Sequence, residues 1–260
     1  MQMHVRNGCS LMNEKTAMDV LNEQNEQMIL EHRLRESMRE HYLRELAKPM
    51  EYNRRPRARN HKDWHSLPLG PTISLKGRRV WVWSDLHFGH KNIIEYSNRP
   101  YPNTEIMDEH LVENFNDYVE PDDISIWVGD VTFYKEEQSR EIVNRCNGYK
   151  ILIVGNHDFG YSTKKLKDMG FDEVHLLMVH ETEEASMLFT HYPIEVDRPW
   201  INVHGHEHVS AAHTPYRRSN QHINVCCEMH EFKPIPFDLL CSWARTRTIS
   251  YNKPKEVRNK

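Results

Sequence analysis

Five short motifs rich in aspartate, histidine and asparagine follow one another along this 260-residue chain. They are Asp85-Leu86-His87, Gly129-Asp130, Gly155-Asn156-His157-Asp158, His191 and Gly205-His206-Glu207-His208. Four of the five come directly after a run of β-branched and aromatic residues, where a buried strand gives way to a loop. Carboxylates, imidazoles and an amide are ligands of hard or borderline divalent metals. The pattern therefore predicts a metal site at the ends of several strands.

The pattern of apolar residues from residue 79 onward predicts strands that alternate with helices. Predicted strands are 80–83, 124–128, 151–154, 174–179, 186–190, 201–204 and 222–226, and predicted helices are 104–119, 135–146 and 163–169. Early βαβ units followed by closely spaced strands favour two packed sheets flanked by helices. In parallel sheets the loops at the carboxyl ends of the strands converge on one crevice, which would bring distant ligands together.

Spacing within the motifs suggests how the ligands share metals. Alternate residues of an extended segment face the same way, so Asp85 and His87 can reach one cation, and His206 and His208 have the same spacing. A carboxylate has two oxygens and can join two cations. Asp130, the single carboxylate in the middle of the series, is the candidate bridge.

The order D-x-H, G-D, G-N-H-D, H, G-H-x-H resembles the calcineurin-like metallophosphoesterase superfamily, over roughly Val80 to Leu240. The continuation of the first motif as F-G-H is similar to a compact bacterial and phage branch. The resemblance implies an α/β fold, a four-layer αββα sandwich of two mixed β-sheets flanked by helices. It implies one metal held by Asp85, His87, Asp130 and His208, and a second held by Asp130, Asn156, His191 and His206.

The same resemblance assigns roles to residues around the metals. A hydroxide bridging the two cations would attack phosphorus, and His157 would protonate the leaving oxygen or stabilise the phosphoryl charge. Asp158 would accept a hydrogen bond from the other ring nitrogen of His157. His90 and Arg99 are candidate substrate contacts, the arginine because its planar fork can clamp a phosphate.

The implied activity is a dinuclear metal-dependent phosphoesterase, with phosphodiesters favoured over phosphomonoesters. Alternatives are a nuclease acting on DNA or RNA ends and a non-catalytic metal-binding interaction module. The mixed nitrogen and oxygen ligands admit two ions of Mn, Fe, Zn, Ni or Co, with Mn favoured. A phosphorylated small molecule or a nucleotide is the expected substrate.

Residues 1–70 are expected to form a helical extension and a basic connector beside a metallophosphoesterase domain at 71–260. Residues 10–47 contain no glycine or proline and predict a helix, which could pack on its own body or form a dimer. The connector could attract nucleic acid, because residues 1–79 carry 15 Lys and Arg against 10 Asp and Glu. Five scattered cysteines, no signal peptide and no long apolar run predict a cytoplasmic protein with no membrane partner.

Overall fold

The structure is a computed structural model that describes residues 26, 28–29, 32–33, 36–44, 70–71, 74–182, 185–208 and 219–252. The chain divides into two compact units, Met1–His41 and Tyr42–Lys260. Residues 36–44 are helical, whereas most of the predicted 10–47 helix and nearly all of the basic connector lie outside the described residues. The predicted boundary at residue 70 and the possible dimer contact therefore stay predictions.

From Val80 onward, the described residues of the second unit form nine strands, five α-helices and two short 3₁₀ helices. The strands are β1 (Val80–Trp83), β2 (Ile124–Trp127), β3 (Tyr149–Ile153), β4 (Glu173–His175), β5 (Met178–Glu181), β6 (Ser186–Thr190), β7 (Trp200–His204), β8 (His222–Asn224) and β9 (Ile235–Pro236). The helices are α1 (Lys91–Tyr96), α2 (Thr104–Asn116), α3 (Glu136–Arg145), α4 (Thr163–Asp168) and α5 (Phe237–Asn252).

The strands form two mixed sheets. The first has the order β4-β3-β2-β1-β9, in which β1 to β4 run parallel and β9 pairs antiparallel with β1. The second has the order β5-β6-β7-β8, with only β5 antiparallel to its neighbour. In the first sheet Val82 pairs with Ile126 and Ile126 with Ile151, so aliphatic side chains form a row across one face.

The faces of the two sheets share one hydrophobic core. Its strand residues include Val80, Val82, Ile124, Ile126, Val128, Ile151, Ile153, Met178, Met187, Phe189, Ile201, Val203 and Ile223. Residues from α5 complete the cluster, among them Phe237, Leu240 and Ala244. Because both sheets bury this face, neither can shift register without moving apolar side chains out of the core.

The opposite face of the first sheet carries aromatic side chains that pack against α2. Phe115 of α2 stacks on Trp83, with ring centroids 4.3 Å apart, and Trp127 meets Trp83 edge-on at 5.0 Å. Alternation along β1 sends Val82 to the inter-sheet core and Trp83 to this helix-covered face. The parallel strands that end at the predicted motifs are thus fixed from both sides.

The predicted fold class, two mixed sheets packed as a sandwich and flanked by helices, is confirmed. The predicted single strand 174–179 is wrong, because it is two strands, β4 in the first sheet and β5 in the second. Three further elements, α1, the two-residue β9 and α5, were not predicted. Among the described residues, no helix is both long and apolar enough to cross a membrane.

Candidate metal centre

The predicted ligands converge because their loops leave neighbouring parallel strands at the same end. β1, β2 and β3 are adjacent in the first sheet, and their loops carry Asp85, Asp130 and Asn156. β6 and β7 are adjacent in the second sheet, and their loops carry His191 and His206. The two sheets therefore contribute ligand-type side chains to one place.

Most of these residues have left-handed backbone conformations. The φ angles are 59° at Asp85, 54° at His87, 55° at Asp130, 69° at His206 and 40° at His208. The prediction that Asp85 and His87, and likewise His206 and His208, face the same way along an extended segment is therefore wrong. These side chains come together through left-handed turns. Such conformations cost about 1–3 kcal/mol each and cluster at functional sites. The surrounding fold must compensate for this strain.

Four side chains form a group suited to one cation on the second-sheet side. His191 donates from Nδ1 to the Val128 carbonyl at 2.8 Å, which leaves its Nε2 facing the group. That Nε2 lies 2.9 Å from Asn156 Oδ1 and 3.3 Å from Asp130 Oδ2. His206 Nδ1 lies 2.9 Å from the same asparagine oxygen. Ligand atoms about 2.1 Å from one metal lie about 3 Å apart, so these distances match a shared cation.

A second group lies on the first-sheet side of Asp130. His87 Nε2 is 3.9 Å from Asp85 Oδ1 and 3.7 Å from Asp130 Oδ2, and His208 Nε2 is 3.6 Å from Asp85 Oδ1. Neither ring nitrogen of His87 has a hydrogen-bond partner among the described residues, although both are buried. Leaving a buried polar group unsatisfied costs about 1–3 kcal/mol. A cation between these ligands would satisfy Nε2, so the residues fit a metal here.

Hydrogen-bond donors orient the Asp85 carboxylate so that its Oδ1 faces His87 and His208. Ser84 Oγ and Cys226 Sγ donate to Asp85 Oδ2, at 2.5 and 3.0 Å, and the His206 amide donates to the same carboxylate. Asp85, His208 and Cys226 are also close enough together to hold an ion. A Cβ at residue 205 would collide with Ser84 Oγ and Asp85 Oδ2, so only glycine allows this approach.

Charge interactions among these buried groups are strong. Burial raises the pKa of Asp130, but nearby His191 and other histidines outweigh it and hold that pKa well below its usual range. Burial lowers the pKa of His191, yet the Asp130 and Asp85 carboxylates raise it overall to about 10. Burial and the charge of His191 lower the pKa of His206 to about 4. The two carboxylates therefore stabilise positive charge at His191, whereas His206 is neutral near pH 7 and keeps a ring nitrogen available as a ligand.

His157 lies at the edge of the centre. Its side chain is 30% exposed, and its Nε2 is 3.7 Å from Asp130 Oδ2. It forms a group with His87 and Asp130 that is tight enough to hold an ion. Its position suits contact with an arriving substrate, and its assignment as a catalyst instead of a ligand stays a prediction.

The predicted role of Asp158 is wrong. Its two carboxylate oxygens accept from the backbone amides of Asp130, Val131 and Gly155, at 2.8, 3.1 and 2.9 Å. Asp158 is buried and begins a short 3₁₀ helix, Asp158–Gly160. Asp158 therefore ties two ligand-bearing loops together and does not orient the His157 ring.

The predicted contact between Arg99 and substrate is also wrong. The arginine side chain has no exposed surface, and its guanidinium donates to the carbonyls of Leu86 and Asp85 at 2.7 and 2.6 Å. It also donates to Glu228 Oε1, at 2.9 Å from Nε and 2.6 Å from Nη2. Arg99 thus fixes the backbone of the first motif.

Glu228 is a residue that the sequence reading missed. Its Oε1 accepts from His208 Nδ1 at 2.8 Å, so that His208 Nε2 is left free to face Asp85. Burial raises the pKa of Glu228, but the His208 hydrogen bond and the Arg99 charge lower it overall to about 2. The only sequence signal was a carboxylate four residues beyond β8.

His90, the other predicted substrate contact, lies beside the candidate metal centre, where its neighbours are aromatic rings. Its ring stacks on Phe133, with centroids 3.7 Å apart and planes 9° apart, and lies 5.4 Å from the His87 ring. Burial and the neighbouring histidines lower the pKa of His90 to about 4. Whether this ring contacts substrate stays a prediction.

Comparison with known proteins identifies one close relative of no established activity. The chain is 33% identical over 171 residues to the uncharacterized protein MJ1445 of Methanocaldococcus jannaschii, which covers 63% of this chain and 89% of the relative. No protein-family model matches the chain.

Two solved structures are similar to the chain. A protein of unknown function from Aquifex aeolicus, AQ665, has a TM-score of 0.52 at 23% identity, covering 63% of this chain and 98% of its own. This similarity shows the fold alone. Yfce, a phosphoesterase from E. coli, has a TM-score of 0.32 at 14% identity, covering 57% of this chain and 78% of its own. That TM-score is too low to support an argument.

Proposed function

The chain belongs to the same family as the uncharacterized protein MJ1445, and we propose that it is a dinuclear metal-dependent phosphoesterase. One observation carries the proposal: seven ligand-type side chains converge in two groups that share Asp130. Their members are Asp85, His87, Asp130 and His208 in the first group, and Asp130, Asn156, His191 and His206 in the second.

The two groups would hold two divalent cations joined by Asp130. When bound, such cations supply Lewis-acid stabilisation of phosphate oxygens and lower the pKa of bound water. This ligand set contains carboxylates and an amide, and the partly exposed His157 lies beside it, whereas structural metal sites are usually closed and rich in cysteine. Mn²⁺ is the favoured ion in this proposal, because hard oxygen ligands accompany the imidazoles.

Other residues of the chain would orient the metal ligands and transfer a proton to the substrate. His157, partly exposed at the edge of the centre, would donate a proton to the leaving oxygen of the ester. Asp158 holds the Asp130 and Gly155 loops together through their backbone amides. Glu228 fixes the tautomer of His208. Chemistry at phosphorus would therefore take place on a preorganised surface.

We propose phosphodiesters, in small molecules or nucleotides, as the preferred substrates. Support comes from the connections between the ligand-bearing strands, which in the described part of the chain consist of helices and loops and add no separate domain. A phosphodiester carries one negative charge, shared by its two non-bridging oxygens, and the one of its two ester oxygens that leaves would take a proton from His157. Binding of nucleic acid through the basic connector is a further proposal that rests on sequence alone.

Hydrolysis of 4-nitrophenyl phosphate and bis(4-nitrophenyl) phosphate by Mn²⁺-loaded protein tests the proposal. Asp130→Asn should lose most of the activity together with one or both metals. Asp123→Asn is a matched control, because Asp123 is also buried but accepts from Trp81 Nε1 away from the centre. Folded wild-type protein that binds two metals and cleaves neither ester would contradict the proposal.

A further inference from the structure

An aromatic platform, formed by the rings of His90 and Phe133, lies beside the candidate metal centre. Phe133 follows the Asp130 loop, and its amide donates to the Phe88 carbonyl at 2.8 Å. Its ring stacks on His90 at 3.7 Å and lies 4.5 Å from the His157 ring. The platform is therefore held in a fixed orientation next to the predicted proton donor.

Phe133 remains 41% exposed despite these contacts. A single exposed apolar residue on a protein surface needs no explanation by itself. Here the ring is packed against His90 and lies only 5.4 Å from the ring of the predicted ligand His87. A phosphate at the centre would place the rest of the substrate close to this ring.

Resting on the proposed function, we propose that the aromatic platform binds the nucleobase of a nucleotide phosphodiester by stacking on Phe133. Every nucleobase has a flat π-face, and bases stack on exposed aromatic side chains without requiring a particular sequence. His90 packs against one face of the ring, which limits the rotation of the ring before a base arrives. Tyr96, 57% exposed and edge-on to His90 at 6.4 Å between ring centroids, is a further exposed aromatic residue beside the platform.

The Asp130 loop would then determine which class of substrate binds. The loop carries the bridging carboxylate, and three residues later it presents Phe133 to the substrate. Phosphate position and base position would then be set by one rigid segment, with the sugar spanning the distance between them.

The first test compares binding of adenosine 5′-monophosphate and ribose 5-phosphate to the Mn²⁺-loaded full chain by calorimetry. Wild type should bind the nucleotide at least about fivefold more tightly, because stacking on an aromatic side chain contributes at least that much. Phe133→Ala should remove this preference and Phe133→Trp should keep it. Equal affinities in wild type, or an unchanged preference in Phe133→Ala, would overturn the platform.

Tyr118→Ala is the matched control. Tyr118 is 38% exposed, similar to Phe133, but its ring packs edge-on against Trp81 away from the centre. This variant should keep the nucleotide preference of wild type. If both variants lose the nucleotide preference, the loss results from a general effect on stability, and the proposed platform is overturned.

Hydrolysis separates failure of the platform from failure of the proposed function. With the dinucleotide adenylyl-adenosine and glycerophosphocholine as substrates, Phe133→Ala should raise KM for the dinucleotide at least about fivefold more than for the other diester. Equal effects on both diesters would remove the platform and leave the phosphoesterase proposal standing. A nucleotide preference in binding, without hydrolysis of either diester, would support the platform and contradict the proposed function.

Discussion

Replacing Glu228 with glutamine removes one negative charge from a buried group that supports the first metal group. The Glu228 side chain is 2% exposed and holds both the Arg99 guanidinium and His208 Nδ1. Glutamine has nearly the same shape and keeps one oxygen acceptor. A single oxygen, Oε1, accepts from both donors, so glutamine can keep these contacts, but its amide is neutral and the bonds lose their charge assistance. Its amide nitrogen also places a donor where Oε2 of the glutamate accepts from Cys227 Sγ at 3.6 Å.

The expected loss of stability in Glu228→Gln depends on which hydrogen bonds of Arg99 and His208 remain. Breaking a buried ion pair by removing one partner usually costs about 3–5 kcal/mol. Arg99 keeps its bonds to the Leu86 and Asp85 carbonyls, and glutamine keeps one acceptor, so we expect about 2–3 kcal/mol for Glu228→Gln. Changing the group that orients a metal-binding histidine typically lowers metal affinity 10- to 100-fold, about 1.4–2.7 kcal/mol.

Two measurements on the same preparations test these figures. Urea unfolding of metal-free protein gives the stability loss, and calorimetric titration with Mn²⁺ gives the affinity of each site. We expect the weaker affinity only at the site that contains His208. Glu228→Asp, which keeps the charge on a shorter side chain, should restore part of the affinity.

Glu173→Gln is the matched control, because the chain contains a second buried glutamate–histidine pair. Glu173 accepts from His175 Nε2 at 2.8 Å at the end of β4, outside the candidate ligand groups. This variant should lose stability without losing Mn²⁺ affinity. Unchanged Mn²⁺ affinity in Glu228→Gln, or equal losses in both variants, would refute the positioning role of Glu228.

Three further predictions concern other parts of the centre. His157→Ala should lower kcat by about 10²- to 10⁴-fold while elemental analysis still finds both metals; loss of a metal would make His157 a ligand. Gly205→Ala should weaken Mn²⁺ binding, because its Cβ would collide with Asp85 Oδ2; unchanged affinity and activity would show that the loop can move aside. Burial raises the pKa of Asp108 to about 6, so its contribution to stability is present below about pH 4 and is lost as the pH rises through 6. Asp108→Asn should remove this part of the pH dependence in urea unfolding, and an unchanged profile would contradict it.

The sequence predicted the strand ends and therefore the meeting of the ligand-type residues. Runs such as Ile151–Val154 are apolar on both faces, which is typical of buried parallel strands, and polar motifs follow them directly. Strand order was not needed for that inference, because parallel strands present their carboxyl ends at one edge. The general location of the centre was thus accessible without coordinates.

The local geometry of the centre could not be read in the same way. Asp85 and His87 adopt left-handed conformations that bulky residues rarely take, so periodicity gave the correct pairing for the wrong reason. Sequence motifs assign Asp158 to the His157 ring and Arg99 to a substrate phosphate, whereas tertiary contacts use both residues to hold the loops. Glu228 lies 20 residues after His208 in sequence, and the parallel pairing of β7 with β8 brings the two loops together.

Metal stoichiometry tests the central claim most directly. Elemental analysis of Mn²⁺-reconstituted wild type, combined with electron paramagnetic resonance, reports how many ions each chain binds and whether they are coupled. We predict two ions per chain with a spin-coupled signal, and loss of the coupling in Asp130→Asn, because Asp130 joins the two groups. One ion per chain, or two uncoupled ions that Asp130→Asn leaves unaffected, would contradict a dinuclear centre bridged by Asp130.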